Sequence, residues 1–297
     1  MMREIEIGII GGSGLYEMEG LTAKKEVRLK TPFGPPSDVF MTGNLEGRRV
    51  AFLTRHGRGH RILPGEINFR ANIWGMKKLG VRRIISVSAV GSMKESIAPG
   101  QVVLPDQFYD HTKRRIGTFF GNGVVAHVAF ADPVCSEMRA VLLKAGRSRG
   151  AVLHDGGVYF CIEGPQFSTR GESLIYRRWG VDVIGMTNAT EARLAREAEI
   201  CYATLALVTD YDCWHESMEA VTVEAVIETL KKNVVLSQQI IRAAVPDIPA
   251  ARRCPCGFAL KNAVMTPPAL IPKKTKENLK LILGDYLKSS MKKSGFK

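Results

Sequence analysis

Two carboxylates, Asp210 and Asp212 in "LALVTDYDCWHE", leave an apolar segment two residues apart. Paired acids either hold a metal ion or exchange protons with a substrate. No His/Glu cluster supports a metal here, so acid–base work and solvated loop aspartates are the readings left. On a continued strand both side chains would share one face. Three other apolar segments end in groups suited to an anion. "IGIIGGSGLY" runs into a glycine turn around Ser13, "FLTRHG" into Arg55 and His56, and "IISVSAVGS" into Ser88, Ala89 and Gly91. Free backbone N–H groups, hydroxyls and the planar fork of arginine all suit a tetrahedral anion. Histidine adds a donor and tunes charge.

The glycine turn narrows which anion. A dinucleotide fingerprint would need a third glycine at position 17, where Glu17 would repel a pyrophosphate. A triphosphate loop would need a following Gly-Lys-Ser/Thr, which is absent. A small anion such as phosphate fits what remains.

These groups need strands to hold them. Apolar pattern and turn residues predict strands at 4–10, 26–30, 38–43, 50–54, 83–89, 101–105, 151–161, 182–186 and 200–209. Helical spacing marks 67–79, 133–147, 168–179 and 190–198. The strongest helix, 222–244, has Thr222 as cap, apolar residues from Val223, Val226 and Ile227 to Ile241, and Pro246 as stop. Such alternation predicts an α/β domain with a largely parallel central sheet. Ligands bind beyond the carboxyl ends of strands in such sheets, which favours one site built from four strand ends.

Composition limits the alternatives. The formal charge of +13 raises nucleic acid as a partner, but much of it lies in residues 273–297, with eight lysines against Glu277 and Asp285. Leu279, Leu281, Ile282 and Leu283, followed by Tyr286 and Leu287, make that tail a short amphipathic helix with a solvated lysine face. Aromatic residues do not interleave with its lysines, so neither a nucleic-acid groove nor a membrane is expected. No run reaches the roughly 18 apolar residues of a membrane span, and acids occupy the start, so a cytoplasmic location is expected. Excess positive charge draws in anionic substrates. Cys135, Cys161, Cys201 and Cys213 read as buried thiols. Cys254-Pro255-Cys256 lacks the second ligand pair that a metal site needs, leaving a strained disulfide or two idle thiols. A Pro-punctuated stretch, 246–257, divides a main domain, 1–245, from an extension, 246–297.

In order along the chain, "IGIIGGSGLY", "TPFGPPSD", "RHGRGH" with "NFRANIW", "SAVGS", "IEGPQFSTRGES", "GMTNATEA" and "VTDYDCW" resemble the 5′-methylthioadenosine phosphorylases of the trimeric purine nucleoside phosphorylase group. The resemblance runs from about residue 5 to 245 and more loosely to about 272. It implies a single α/β domain with a mixed, partly barrel-like sheet surrounded by helices. It implies cleavage of methylthioadenosine by phosphate, without a cofactor or metal; a broader purine nucleoside phosphorylase or a methylthioinosine phosphorylase is the alternative. The phosphate site would comprise Ser13, Arg55, His56, Ser88, Ala89 and Thr187. Met186 would line the ribose and Phe167 the purine, while Asp210 and Asp212 would read the base and Asp210 protonate N7. Val223, Val226 and Ile227 would wall the 5′ pocket. His127 and Leu270 would come from a neighbouring subunit of a homotrimer or dimer of trimers. Gln166 stands where arginine is usual, and Thr190 replaces a common proline.

Overall fold

Apolar runs without polar alternation belong in strands covered on both faces. Ile7, Ile9 and Ile10 are fully buried, as is nearly all of the run 201–209. The computed structural model describes residues 5–215 and 223–293. Its strands are β1 (Ile7–Gly11), β2 (Thr22–Val27), β3 (Phe40–Leu45), β4 (Arg48–Thr54), β5 (Arg83–Ser92), β6 (Val102–Leu104), β7 (Gln107–Asp110), β8 (Leu153–Asp155), β9 (Val158–Cys161), β10 (Val183–Gly185) and β11 (Cys201–Asp210). Around them lie α1 (Phe69–Lys78), α2 (Ser136–Ser148), α3 (Arg170–Arg178), α4 (Asn188–Glu197), α5 (Val223–Asp247), α6 (Lys273–Asn278) and α7 (Lys280–Lys293).

All these strands join one mixed sheet, a single α/β domain, and the sheet forks at β5. One edge of β5 pairs with β11 in parallel along nearly its whole length. On the other edge, β1 runs parallel as far as Ile10 beside Ser86, and antiparallel β10 joins only at Gly91. From Val87 to Val90, β5 therefore has a strand on one edge only. Alternate residues of a strand direct their N–H and C=O groups to opposite edges. The Val90 carbonyl accepts a bond from Thr209 of β11, whereas the Val87 carbonyl faces the gap and accepts one from Arg55. Ala89 is in phase with Val87, so its N–H also faces the gap. In this otherwise buried strand, Ala89 is exposed and Gly91 half-buried, which marks where the sheet opens to solvent.

Several boundaries differ from expectation. The predicted strand 151–161 divides into β8 and β9, because Gly156 and Gly157 adopt φ of 96° and 109°. Those left-handed values suit glycine and break an extended ladder. The halves then pair differently, β8 with β6 and β9 with β7 and β10. Four-residue β7, with polar ends, gives too short a pattern to read. Helix α5 continues to Asp247 with Pro246 inside its last turn, while its proposed cap, Thr222, lies outside the described residues.

The C-terminal extension folds back on the body. Ala126 bridges to Val264, and Leu260, Ile271, Leu279, Ile282 and Leu283 enter the apolar cluster that contains Ile10, Ile73 and Ile84. The expected apolar face of the tail helix is thus buried on the domain. Among the described residues, no helix is long and apolar enough to cross a membrane.

Candidate active site

The floor of the β5 gap is a buried ion pair. Arg55 follows β4 and is only 3% exposed. Its Nε donates to Glu191 Oε1 at 2.5 Å, and its Nη2 to Glu191 Oε2 at 3.0 Å and Ser86 Oγ at 2.7 Å. Burial works against the guanidinium charge, but the Glu191 carboxylate outweighs it and raises the Arg55 pKa. The sequence reading aimed this fork at a phosphate. The structure instead closes it on Glu191, so the pair brings no net charge to the floor. Ser86 and Tyr202 hydroxyls also donate to Glu191, at 3.1 and 2.9 Å. Asn188 joins the group through Thr204 at 2.8 Å and Ser86 at 3.4 Å. Sequence reasoning missed Glu191, Ser86, Asn188 and Tyr202. The available signal was a lone carboxylate amid the small residues of "NATEA", where burial is expected.

Above this floor lie the other anion-suited groups. The Ser88 hydroxyl is 3.2 Å from the Tyr159 hydroxyl, which the Thr187 N–H also reaches. Thr187 is the N-cap of α4, so the positive end of that helix dipole lies by the Tyr159 hydroxyl that Ser88 meets. Ser13 stands one residue beyond β1, after Gly12, and opens a short 3-10 turn; its side chain lies outside the described residues. Thr190, one turn into α4, has a buried hydroxyl with no hydrogen-bond partner.

His56 lies beside Arg55, stacked on His60 at 4.3 Å, with Nδ1 2.8 Å from the Ile62 carbonyl. The carbonyl can only accept, so Nδ1 carries the proton and Nε2 its lone pair. Burial lowers the His56 pKa to about 4, against the opposing Ile62 bond. An unfolded histidine takes up a proton below about pH 6.5, while folded His56 resists to about 4. The unfolded state then binds more protons in that window, and stability falls as pH drops through it. Thermal unfolding of wild type and His56→Gln should show a smaller acid loss in the variant. Parallel profiles would contradict this.

The acid pair stands at the far end of the gap. A β-bulge between Val208 and Asp210 sets Asp210 opposite Gly91, and such an extra residue re-aims a side chain. A Cβ on Gly91 would come within 3.0 Å of Asp210 Oδ1 and 3.3 Å of Asp212 Cβ, so both acids stand over the end of β5. Strand alternation does not align them. The Asp212 N–H donates to Asp210 Oδ1 at 2.8 Å, closing an Asx-type turn, and Asp212 has φ of 53°. Asp210 Oδ2 accepts from Thr209 at 2.7 Å, and Asp212 Oδ2 from Ser173 of α3 at 2.6 Å. Burial raises the pKa of Asp212, the Ser173 bond opposes, and the Asp210 charge adds to the rise.

Phe167 is 83% exposed in the loop after β9. The carbonyl of neighbouring Ser168 accepts from Cys213, one residue past Asp212, which ties that loop to the acids. Gly164 in the same loop has φ of 67°, and a Cβ there would lie 2.5 Å from Met186 Sδ. The positive φ favours glycine here, and the loop lies against the Met186 side chain. Side chains of Val223, Val226 and Ile227 are outside the described residues. Further along α5, Gln238 donates to the Gly14 carbonyl at 2.7 Å and Asn233 to that of Val208 at 2.9 Å, so the helix bridges the ends of β1 and β11. His127 and Leu270 lie at the C-terminal extension, and among the described residues no hydrogen bond ties either to the β5 gap. The His127 N–H donates to Ala263 at 2.9 Å, and Leu270 is 71% exposed beyond the same C-terminal segment.

A profile of the Phosphorylase superfamily matches residues 6–246. The S-methyl-5′-thioadenosine phosphorylase of Geobacter sulfurreducens is 61% identical over 282 residues, covering 95% of this chain and 99% of its own. A crystal structure of methylthioadenosine phosphorylase from an Antarctic soil metagenomic library superposes with a TM-score of 0.91 at 50% identity, covering 94% of this chain and 99% of that one. The methylthioadenosine phosphorylase of Schistosoma mansoni in complex with adenine gives 0.79 at 34% identity, covering 95% and 98%. Fold, ordered motifs and these likenesses agree that the chain belongs to the methylthioadenosine phosphorylases of the phosphorylase superfamily.

Proposed function

We infer that this enzyme cleaves the N-glycosidic bond of 5′-methylthioadenosine with inorganic phosphate, releasing adenine and 5-methylthioribose 1-phosphate. The observation that carries the reading is the gap in β5. It exposes the Ala89 amide at one position and stands the acid pair over Gly91 two residues on, about 7 Å along a strand. That spacing suits a ribose with phosphate beneath it and a purine beyond.

Phosphate rests on the Ala89 N–H, the Ser88 hydroxyl and the α4 N-terminus at Thr187, and the family resemblance adds Ser13. Neutral His56 offers Nε2 to a phosphate hydroxyl. Arg55 acts from below, holding Ser86, Val87 and Glu191 in place. A phosphate oxygen attacks C1′ while the bond to purine N9 breaks and its electron pair moves into the ring. The ribose passes through an oxocarbenium-like state that the anion stabilises. A proton held on the Asp210/Asp212 pair passes through Asp210 to N7, making adenine a better leaving group. Carboxylate oxygens also accept from the exocyclic amine, which favours 6-aminopurines. Phe167 and Met186 cover base and ribose.

The family resemblance assigns the wall of the methylthio pocket to Val223, Val226 and Ile227. His127 and Leu270 complete it from a neighbouring subunit in a homotrimer. An apolar wall separates methylthio from hydroxyl by only about 1–3 kcal/mol, so adenosine should follow methylthioadenosine by about 10–200-fold in kcat/KM. Phosphate-dependent turnover of methylthioadenosine, adenosine, inosine and methylthioinosine, repeated across a dilution series, checks both points. The expected order places both 6-aminopurines first, and activity falls when the oligomer dissociates. Faster inosine cleavage, or a fully active monomer, would overturn the assignment.

A further inference from the structure

The fold supplies the ligand pair that Cys254-Pro255-Cys256 lacks in sequence. Cys135 and Cys201, far from it in the chain, come so close that all four sulfurs lie within 4.8 Å of one another. Three elements meet here: Cys135 is the N-cap of α2, Cys201 opens β11, and the other two flank Pro255 in the C-terminal extension. The geometry is held independently of the sulfurs. The Cys135 N–H donates to the Tyr202 carbonyl at 2.9 Å. On the extension, Arg252 donates to the Glu199 carbonyl at 2.7 Å and the Arg253 N–H to Glu137 at 3.3 Å. Proline fixes the backbone between the two cysteines of the extension.

We propose that Cys135, Cys201, Cys254 and Cys256 bind zinc, or another thiolate-seeking divalent cation, as a tetrathiolate site that fastens the C-terminal extension to α2 and β11. A tetrahedral ion with metal–sulfur bonds of about 2.3 Å holds its sulfurs about 3.8 Å apart, close to the spacing present. Cys201 Sγ and Cys254 Sγ already stand at 3.3 Å, and all four thiols are free. Soft thiolates select zinc over magnesium or calcium. On binding, four S–H groups release four protons to solvent and four metal–sulfur bonds form, leaving a dianionic site. The N-terminus of α2 offsets that charge, and Arg196 lies within electrostatic reach of Cys256. Cys201 and Asp210 are the two ends of ten-residue β11, so the ion sits about 30 Å from the acid pair and serves the scaffold.

Metal content and thiol state test this on the full chain, purified with a phosphine reductant and without metal-chelating resin. Mass spectrometry of the metals should find on the order of one zinc per chain. Cys254→Ser and Cys256→Ser should reduce that by about tenfold or more, while Cys213→Ser, outside the cluster, keeps it. Wild type produced in cobalt-supplemented medium should show a thiolate-to-cobalt charge-transfer band and strong tetrahedral d–d bands. That spectrum does not depend on any variant folding. Metal-poor wild type, zinc retained by Cys254→Ser, or a cobalt form without the charge-transfer band would each overturn the site. So would two disulfides among these four residues in protein kept reduced.

Discussion

Asp210→Asn should lower kcat/KM for methylthioadenosine by about 10²–10⁴, the usual range for a positioned proton donor. The side chain keeps its size, its oxygen still accepts from the Asp212 N–H, and its amide donates to the Thr209 hydroxyl, which turns its own proton to the Val90 carbonyl, so the fold should hold. The lost proton transfer weighs on the glycosidic step, so kcat should fall more than KM rises. Asparagine also presents a donor toward the purine edge, so the ratio of inosine to adenosine turnover should rise. Steady-state rates on both nucleosides read the effect. An unchanged ratio with less than a tenfold loss would remove Asp210 from the chemistry. Asp212→Asn serves as the comparison. Its carboxylate is held by Ser173, and its effect should appear in the pH profile before the maximal rate.

Glu191→Gln carries the second large effect, on stability. Glu191 and Arg55 are both almost completely inaccessible, and removing one charge leaves the other buried and uncompensated. Losing one partner of such a pair costs about 3–5 kcal/mol. Urea unfolding should therefore show a sharply lower midpoint with an unchanged slope. The double replacement Arg55→Met with Glu191→Leu should recover much of the loss, because an apolar pair of similar volume avoids the desolvation penalty. It should not recover phosphorolysis, since the bonds from Arg55 to Ser86 and Val87 that shape the gap are gone. A loss below about 1 kcal/mol in Glu191→Gln would mean that the pair is no keystone of the floor.

Much of this was legible in the sequence, and the exceptions have physical causes. Strands β1, β4, β5 and β11 were readable because fully buried strands are long apolar runs, and the anion-suited residues were readable because they end those runs. The basic tail gave its helix away through apolar spacing. What a linear pattern cannot carry is which edge of a strand stays open. The gap at Val87–Val90 depends on where β1 stops and β10 begins, a property of three separated segments. The partner of Arg55 was hidden for the same reason. Glu191 lies far along the chain, and only the packing of α4 beneath β5 decides that the guanidinium faces a carboxylate. The acids converge by a bulge and a turn, where residue spacing suggested strand alternation. The four cysteines make the same point, since no local pattern links Cys135 or Cys201 to Cys-Pro-Cys.

The central claim is that one cleft along β5 holds phosphate at Ala89 and purine at Gly91. A crystal soaked with adenine and sulfate tests it most directly. The account predicts sulfate bonded to the Ala89 N–H and Thr187, with adenine N7 within hydrogen-bond distance of Asp210. Sulfate and adenine in separate crevices, or adenine away from both acids, would contradict it.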